Sequence, residues 1–229
     1  MKIDDLKILQ EKFAANSNRE KAKPMKRYMK DRYEYYGIQT ALRKEIARAF
    51  FAEKGLPREK ELEEIIKELW RWPQREYQYF ALDVLEKRIK KSEKEIIALL
   101  ENLIITKSWW DTVDRIAQKL VGVLFQKHPE LIIPHTKHWM DSGNIWLQRT
   151  ALLFQLKYKK ETNVEMLFGF IEQLAGSEEF FIQKAIGWAL REYSKTDAET
   201  VISFIAQNQL APLSVREGLK IVNKKMPPA

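Results

Sequence analysis

Two stretches of this chain lie over one another: I145-W-L-Q-R-T-A-L-L-F-Q-L-K-Y158 and F180-F-I-Q-K-A-I-G-W-A-L-R-E-Y193. Gln148 falls on Gln183, Arg149 on Lys184 and Tyr158 on Tyr193, each pair 35 residues apart. The same interval backwards from Arg149 reaches Asp114, and a further one Tyr79, inside Q74-R-E-Y-Q-Y-F-A-L-D-V-L85. Apolar residues recur at helical spacing throughout, and no segment sustains strand-like alternation. A 35-residue period in a helical chain fits a helix-pair repeat, in which each pair buries its face against its neighbours. The W-x-x-L-G-x-x-Y pattern of tetratricopeptide repeats is missing, which favours a HEAT-like stack. The expected fold is therefore all-α: a superhelical stack of antiparallel helix pairs, a curved solenoid forming a single domain over residues 1–229.

Punctuation along the chain agrees with many helices and short connections. Only eight glycines and eight prolines interrupt it. Ser92-x-x-Glu95, Ser108-x-x-Asp111, Thr196-x-x-Glu199 and Ser214-x-x-Glu217 read as capping boxes or aspartate variants of them. Lys54-Gly55 followed by Pro57, Trp72-Pro73, His128-Pro129 and Gly176 read as stops.

The register carries a functional expectation. Equivalent positions on successive inner helices line one surface, so Asp114, Arg149 and Lys184 should stand side by side across three repeats. Trp110 precedes Asp114 by four residues and Trp188 follows Lys184 by four, a spacing that places each pair on one helix face. One acid, two cations and two indoles should thus converge. Ordinary structural roles compete with this. Tryptophan on a helix is most often core, which suffices for Trp70, Trp72, Trp139 and Trp146. Asp114 could equally serve a salt bridge to Arg115 or Arg149, or a first-turn position favoured by the helix dipole. Arg149 and Lys184 could be plain solvated charges.

Charge and residue content narrow the classes. Forty basic against 32 acidic side chains give a net charge of +8, which favours a polyanionic partner, nucleic acid before membrane. With no cysteine, disulfides and thiolate metal sites are excluded. His128, His135 and His138 have no carboxylate or cysteine cluster to complete a metal site, so no metal is expected. The basic run E86-K-R-I-K-K91 reads as a solvated helix end. No glycine-rich phosphate loop, Ser-His-Asp set or G-x-S-x-G is present. MKIDDLKILQEKF lacks the apolar block of a signal peptide, and no run approaches the roughly 18 apolar residues of a membrane span. A soluble, cytoplasmic protein is the expectation.

Longer blocks add a resemblance. K107-S-W-W-D-T-V-D114, N144-I-W-L-Q-R-T-A-L-L-F-Q-L-K-Y158 and F180-F-I-Q-K-A-I-G-W-A-L-R-E-Y193 closely resemble the DNA alkylation repair family, HEAT-like-repeat DNA glycosylases of the bacterial AlkD type. P24-M-K-R-Y-M-K30, G37-I-Q-T40 and L210-A-P-L-S214 match as well, so the similarity covers nearly the whole chain. The resemblance implies a basic concave channel that holds duplex DNA. It implies excision of cationic alkylated purines such as 3-methyladenine and 7-methylguanine, without base flipping and without metal or organic cofactor. It assigns the catalytic acid to Asp114, the lesion-cradling indoles to Trp110 and Trp188, and the key arginine to Arg149. Tyr28, Gln39, Thr40, Lys44, Lys157, Lys184 and Arg191 become DNA contacts, and a monomer suffices. Gly169 departs from relatives that carry a bulky aromatic there, and no proline follows Thr40.

An alkylated purine is already a good leaving group, so a general acid is unnecessary. What remains is to stabilise the oxocarbenium-like sugar and orient water, which one carboxylate can do. Arg149, with its planar fork, suits a phosphate beside the lesion. Two other classes compete: a non-catalytic HEAT-like scaffold on duplex nucleic acid, and a protein-binding solenoid whose basic charge is incidental.

Overall fold

The structure, a computed structural model, describes residues Met1–Lys225. Among them the chain is helical, with one isolated bridge between Glu34 and Gln74 and no strand. It divides into two compact units, the first ending at Ser92 and the second starting at Glu93.

The first unit holds α1 (Leu6–Ala15), α2 (Arg19–Tyr28), α3 (Thr40–Lys54), α4 (Glu59–Arg71) and α5 (Arg75–Arg88). In α4 the buried residues Leu62, Ile65, Ile66, Leu69 and Trp70 follow the i, i+3, i+4, i+7, i+8 rule of a one-faced helix. Each fully buried aliphatic side chain there contributes about 1.5–3 kcal/mol of hydrophobic stabilisation. α5 is different: Tyr77, Phe80, Ala81, Leu82, Val84 and Leu85 are buried around most of its circumference, together with Arg75, Glu76 and Gln78. It is the unit's central helix. The stops at Lys54-Gly55 and Trp72-Pro73 hold, α3 ending at Lys54 with Gly55 at φ 69° and α4 ending at Arg71.

The second unit contains α6 (Ile96–Ile105), α7 (Trp110–Ile116), α8 (Gly122–Lys127), α9 (Ile132–Asp141), α10 (Ile145–Leu153), α11 (Val164–Leu174), α12 (Phe180–Tyr193), α13 (Ala198–Gln207), α14 (Pro212–Gly218) and the short α15 (Val222–Lys225). α10, buried on most sides, packs on α6, α7, α9, α11 and α12. Here the 35-residue register becomes physical. Gln126 donates to Glu161, Lys157 pairs with Glu192, and Arg149 pairs with Asp114, all across 35 residues. Lys127 with Glu93 and His135 with Glu101 span 34. Equivalent positions of successive helix pairs touch, as stacked repeats require.

The capping signals were misread. α6 starts after Glu95 and α7 after Trp109, neither with a side-chain cap. Ser108 instead donates to the Ile104 carbonyl, 2.6 Å away. Ser214 lies inside α14 and donates to the Gln183 carbonyl. α13 is capped by Asp197, one residue beyond the expected Thr196. The side chains that do accept N-cap bonds are Asn18, Asn144, Asn163 and Asp197, whose short carbonyl or carboxylate reaches the N–H two or three residues on.

Candidate functional site

Asp114 and Arg149 meet in the second unit. Asp114 lies one turn into α7, after Trp110 at its first position, and a π-helical turn over Ala117–Val121 follows before α8. Such single-turn insertions recur at functional sites because they re-aim neighbouring side chains. Arg149 comes from the middle of α10. Its Nε donates to Asp114 Oδ1 at 2.6 Å and its Nη2 to Oδ2 at 2.8 Å, a fork-on-carboxylate geometry. Its Nη1 donates to the main-chain carbonyl of Phe181 on α12. One guanidinium thus ties three successive repeats together.

The pair is enclosed, the side chains keeping only 5% exposure for Arg149 and 12% for Asp114. Burial pushes the Asp114 carboxyl above its ordinary 3.8; the Arg149 guanidinium pulls it down, and Asp111 pushes it up again. Trp109, Trp146 and Phe181 form an aromatic cluster next to Arg149: Trp109 to Phe181 is 4.9 Å between ring centroids, Trp146 to Phe181 5.0 Å, and the Arg149 carbon 5.9 Å from the Phe181 ring.

Two expectations change here. Arg149 was assigned to a phosphate, but its fork is spent on Asp114 and the Phe181 carbonyl. The register predicted adjacency, and adjacency of an acid and an arginine in an enclosed site produces an ion pair. Second, Lys184 does not continue that row: its Nζ lies 3.0 Å from Glu217, 33 residues on. Trp110 and Trp188 are both half-buried, unlike Trp70 and Trp139, which are core. Trp72 and Trp146 are half-buried as well, so partial exposure does not by itself separate the two expected site indoles from the rest. Lys157 is exposed and 3.2 Å from Glu192, and Arg191 donates to Glu217.

The remaining expected contacts lie in the first unit. Tyr28 ends the strongly basic α2, which buries nothing, and is 69% exposed. Gln39 caps α3 by position, without a side-chain bond, and Thr40 and Lys44 are exposed on its first turn and a half. The segment leading into α3 is held by Glu76, fully buried, which accepts from the N–H groups of Tyr36, Gly37 and Ile38. Burial pushes the Glu76 carboxyl up, with these N–H groups opposing. Gly37 sits at φ 86°, and a Cβ there would lie 2.1 Å from the Asn18 carbonyl, so the turn excludes any other residue. Gly169 is exposed with nothing near its missing Cβ.

Sequence reasoning missed Phe181, Trp109, Glu192 and Glu217. The register could have flagged two of them, since Phe181 stands 35 after Trp146 and Glu192 35 after Lys157. Glu101, which accepts from the Trp139 indole and pairs with His135, was missed in the same way.

An all-helical repeat protein with a guanidinium-held buried acid is the class these features define. A sequence model of the DNA alkylation repair enzyme family matches residues 9–222, and the chain belongs to that family. A solved structure described as a predicted DNA alkylation repair enzyme from Enterococcus faecalis is 33% identical, with a TM-score of 0.85 over 91% of this chain and 97% of that one. A search of curated proteins returns no match. No helix among the described residues is long and apolar enough to cross a membrane.

Proposed function

We propose that this DNA alkylation repair enzyme is a monofunctional DNA glycosylase. It hydrolyses the N-glycosidic bond of positively charged N3- or N7-alkylated purines, 3-methyladenine and 7-methylguanine among them, in duplex DNA. In this reading residues 1–229 act as one domain, monomeric, cytoplasmic and without cofactor. The observation that carries it is the Asp114 carboxylate, enclosed yet retaining 12% exposure and fixed in direction by the Arg149 fork, with Trp110 one turn away.

Asp114 stabilises the sugar cation as the glycosidic bond lengthens and orients the attacking water. Arg149 becomes a positioning residue: it orients the carboxylate and opposes the rise in its pKa that burial alone causes. Trp110 and Trp188 present ring faces or edges to the cationic nucleotide, each contact worth roughly 0.5–2 kcal/mol. Tyr28, Gln39, Thr40, Lys44, Lys157, Lys184 and Arg191 contact the DNA backbone, and the base stays stacked.

Incubation with duplex rich in 7-methylguanine and 3-methyladenine should release free bases, detected chromatographically. Excision that tolerates progressively larger adducts supports a stacked base, whereas a sharp size cutoff supports a pocket. The second reading, a non-catalytic duplex-binding scaffold, is favoured by the same ion pair, because Arg149 neutralises the charge that catalysis needs. DNA binding with no base release decides for it.

A further inference from the structure

Lys184 and Arg191 stand one turn before and one turn after Trp188 on α12. A single carboxylate holds both: Lys184 Nζ lies 3.0 Å from Glu217 Oε1, and Arg191 Nη1 donates to Glu217 Oε2. The backbone fixes that carboxylate in place. A Cβ on Gly187 would lie 2.6 Å from Glu217 Cβ and 2.9 Å from the Ser214 carbonyl oxygen, so only glycine lets α14 approach this closely. The Ser214 hydroxyl, 3.0 Å from the Gln183 carbonyl, pins the same helix from its other end. Yet the cations remain reachable, with side-chain exposures of 37% for Lys184 and 24% for Arg191. The arrangement recurs one helix turn on, where Glu192 accepts from Lys157 at 3.2 Å and Lys195 at 2.5 Å.

We propose that Glu217 is an internal counter-anion that sets specificity: in the free protein it occupies the two cations flanking Trp188, and DNA phosphates must displace it to reach them. This deepens the DNA-directed reading and rests on it. A carboxylate and a phosphodiester compete for the same donors, and partly exposed ion pairs are weak enough to exchange. The displaced carboxylate stays anchored beneath the phosphates and repels them, so loosely docked, undamaged duplex gains little on this face. A duplex seated firmly through the rest of the interface can complete the exchange. Glu192 does the same for Lys157.

The test is the salt dependence of binding to undamaged duplex by the full chain and its Glu217→Gln variant, which keeps the side-chain volume and removes the charge. Log K falls with log salt at about 0.9 per phosphate neutralised, so freeing two cations should steepen the variant's slope by ~1–2 and tighten its binding ~10-fold at moderate salt. A merely structural Glu217 would move the melting temperature and leave the slope alone; a folded variant with wild-type slope and affinity overturns the proposal. Should the variant not fold, the wild type carries the test by nitrogen NMR of the Arg191 guanidinium during titration with duplex rich in 7-methylguanine, the duplex that completes the exchange. A changed Arg191 signal at saturation supports displacement, and an unchanged one overturns it. Wild-type protein that binds no duplex at low salt overturns the DNA reading and this with it, whereas binding that Glu217→Gln leaves untouched overturns this alone.

Discussion

Among the described residues, an arginine–aspartate pair with the same exposures, 5% and 12%, is enclosed in each unit: Arg43 with Asp83 in the first, Arg149 with Asp114 in the second. Enclosure and exposure alone therefore do not separate the two acids; the two-oxygen grip of Arg149 on Asp114 and the neighbouring Trp110 do. What differs is the surroundings. Arg43 meets Asp83 through Nη1 and stands 5.3 Å from the Tyr79 ring, while Asp83 borders a hollow of about 320 Å³ shared with Lys44, Arg48, Glu86 and Lys87. Arg149 grips both oxygens of Asp114, is tethered again at the Phe181 carbonyl, and stands 5.9 Å from the Phe181 ring. Further cations line the hollow that Asp83 borders, whereas Asp114 is gripped at both oxygens by one arginine. The proposed function takes the second pair for the chemistry and leaves the first a structural one, a distinction that the two pairs' variants test.

The largest expected effect separates the pairs by stability. Arg149→Leu strands a buried carboxylate and should cost about 3–5 kcal/mol in urea unfolding. Arg43→Leu should cost less, about 1–3 kcal/mol, because other cations border Asp83; equal losses would dissolve the distinction. Next, Asp114→Asn should lower base release on the order of 10²-fold or more while duplex binding is kept. Asp83→Asn should leave release close to wild type, and unchanged turnover in Asp114→Asn would refute the catalytic assignment.

A smaller effect lies in pH. The folded state raises the Asp114 pKa above 3.8, so it binds the proton more tightly than the unfolded chain. Wild-type stability relative to Asp114→Asn should therefore fall as pH rises from 3.8 through the raised value, and recover on acidification. Glu192 and Glu217, lowered on balance, act oppositely: burial is the largest influence on Glu192 and raises it, but its lysine partners outweigh that, while Lys184 leads for Glu217. Their contribution is present above the ordinary glutamate value and lost as pH falls. Urea unfolding at several pH values checks both signs. The smallest expected effect is at Lys157: Lys157→Gln should reduce the salt slope of binding to methylated duplex by about 1, leave that for undamaged duplex nearly unchanged because Glu192 holds the lysine, and lower stability by at most about 1 kcal/mol.

Much of this was legible in the chain. The 35-residue period foresaw the contact between Asp114 and Arg149, because side chains at equivalent repeat positions must be neighbours when helix pairs stack. Helix stops at Gly55, Pro73 and Pro129 were equally readable, since a positive φ and a missing N–H act locally. The starts were not: Ser108 and Ser214 hydroxyls reach carbonyls on preceding or distant turns, and a hydroxyl chooses its partner from whatever packing supplies.

The amino-acid sequence by itself determined the helices, their period and the family blocks that carry Trp110, Asp114, Arg149 and Trp188, because these depend on local spacing. Only the tertiary structure decided where the charges go. Arg149 turned to Asp114 rather than outward, and Glu217 took Lys184 and Arg191, because a side chain several bonds long pairs with the nearest opposite charge that packing places within reach, and no linear spacing records that distance.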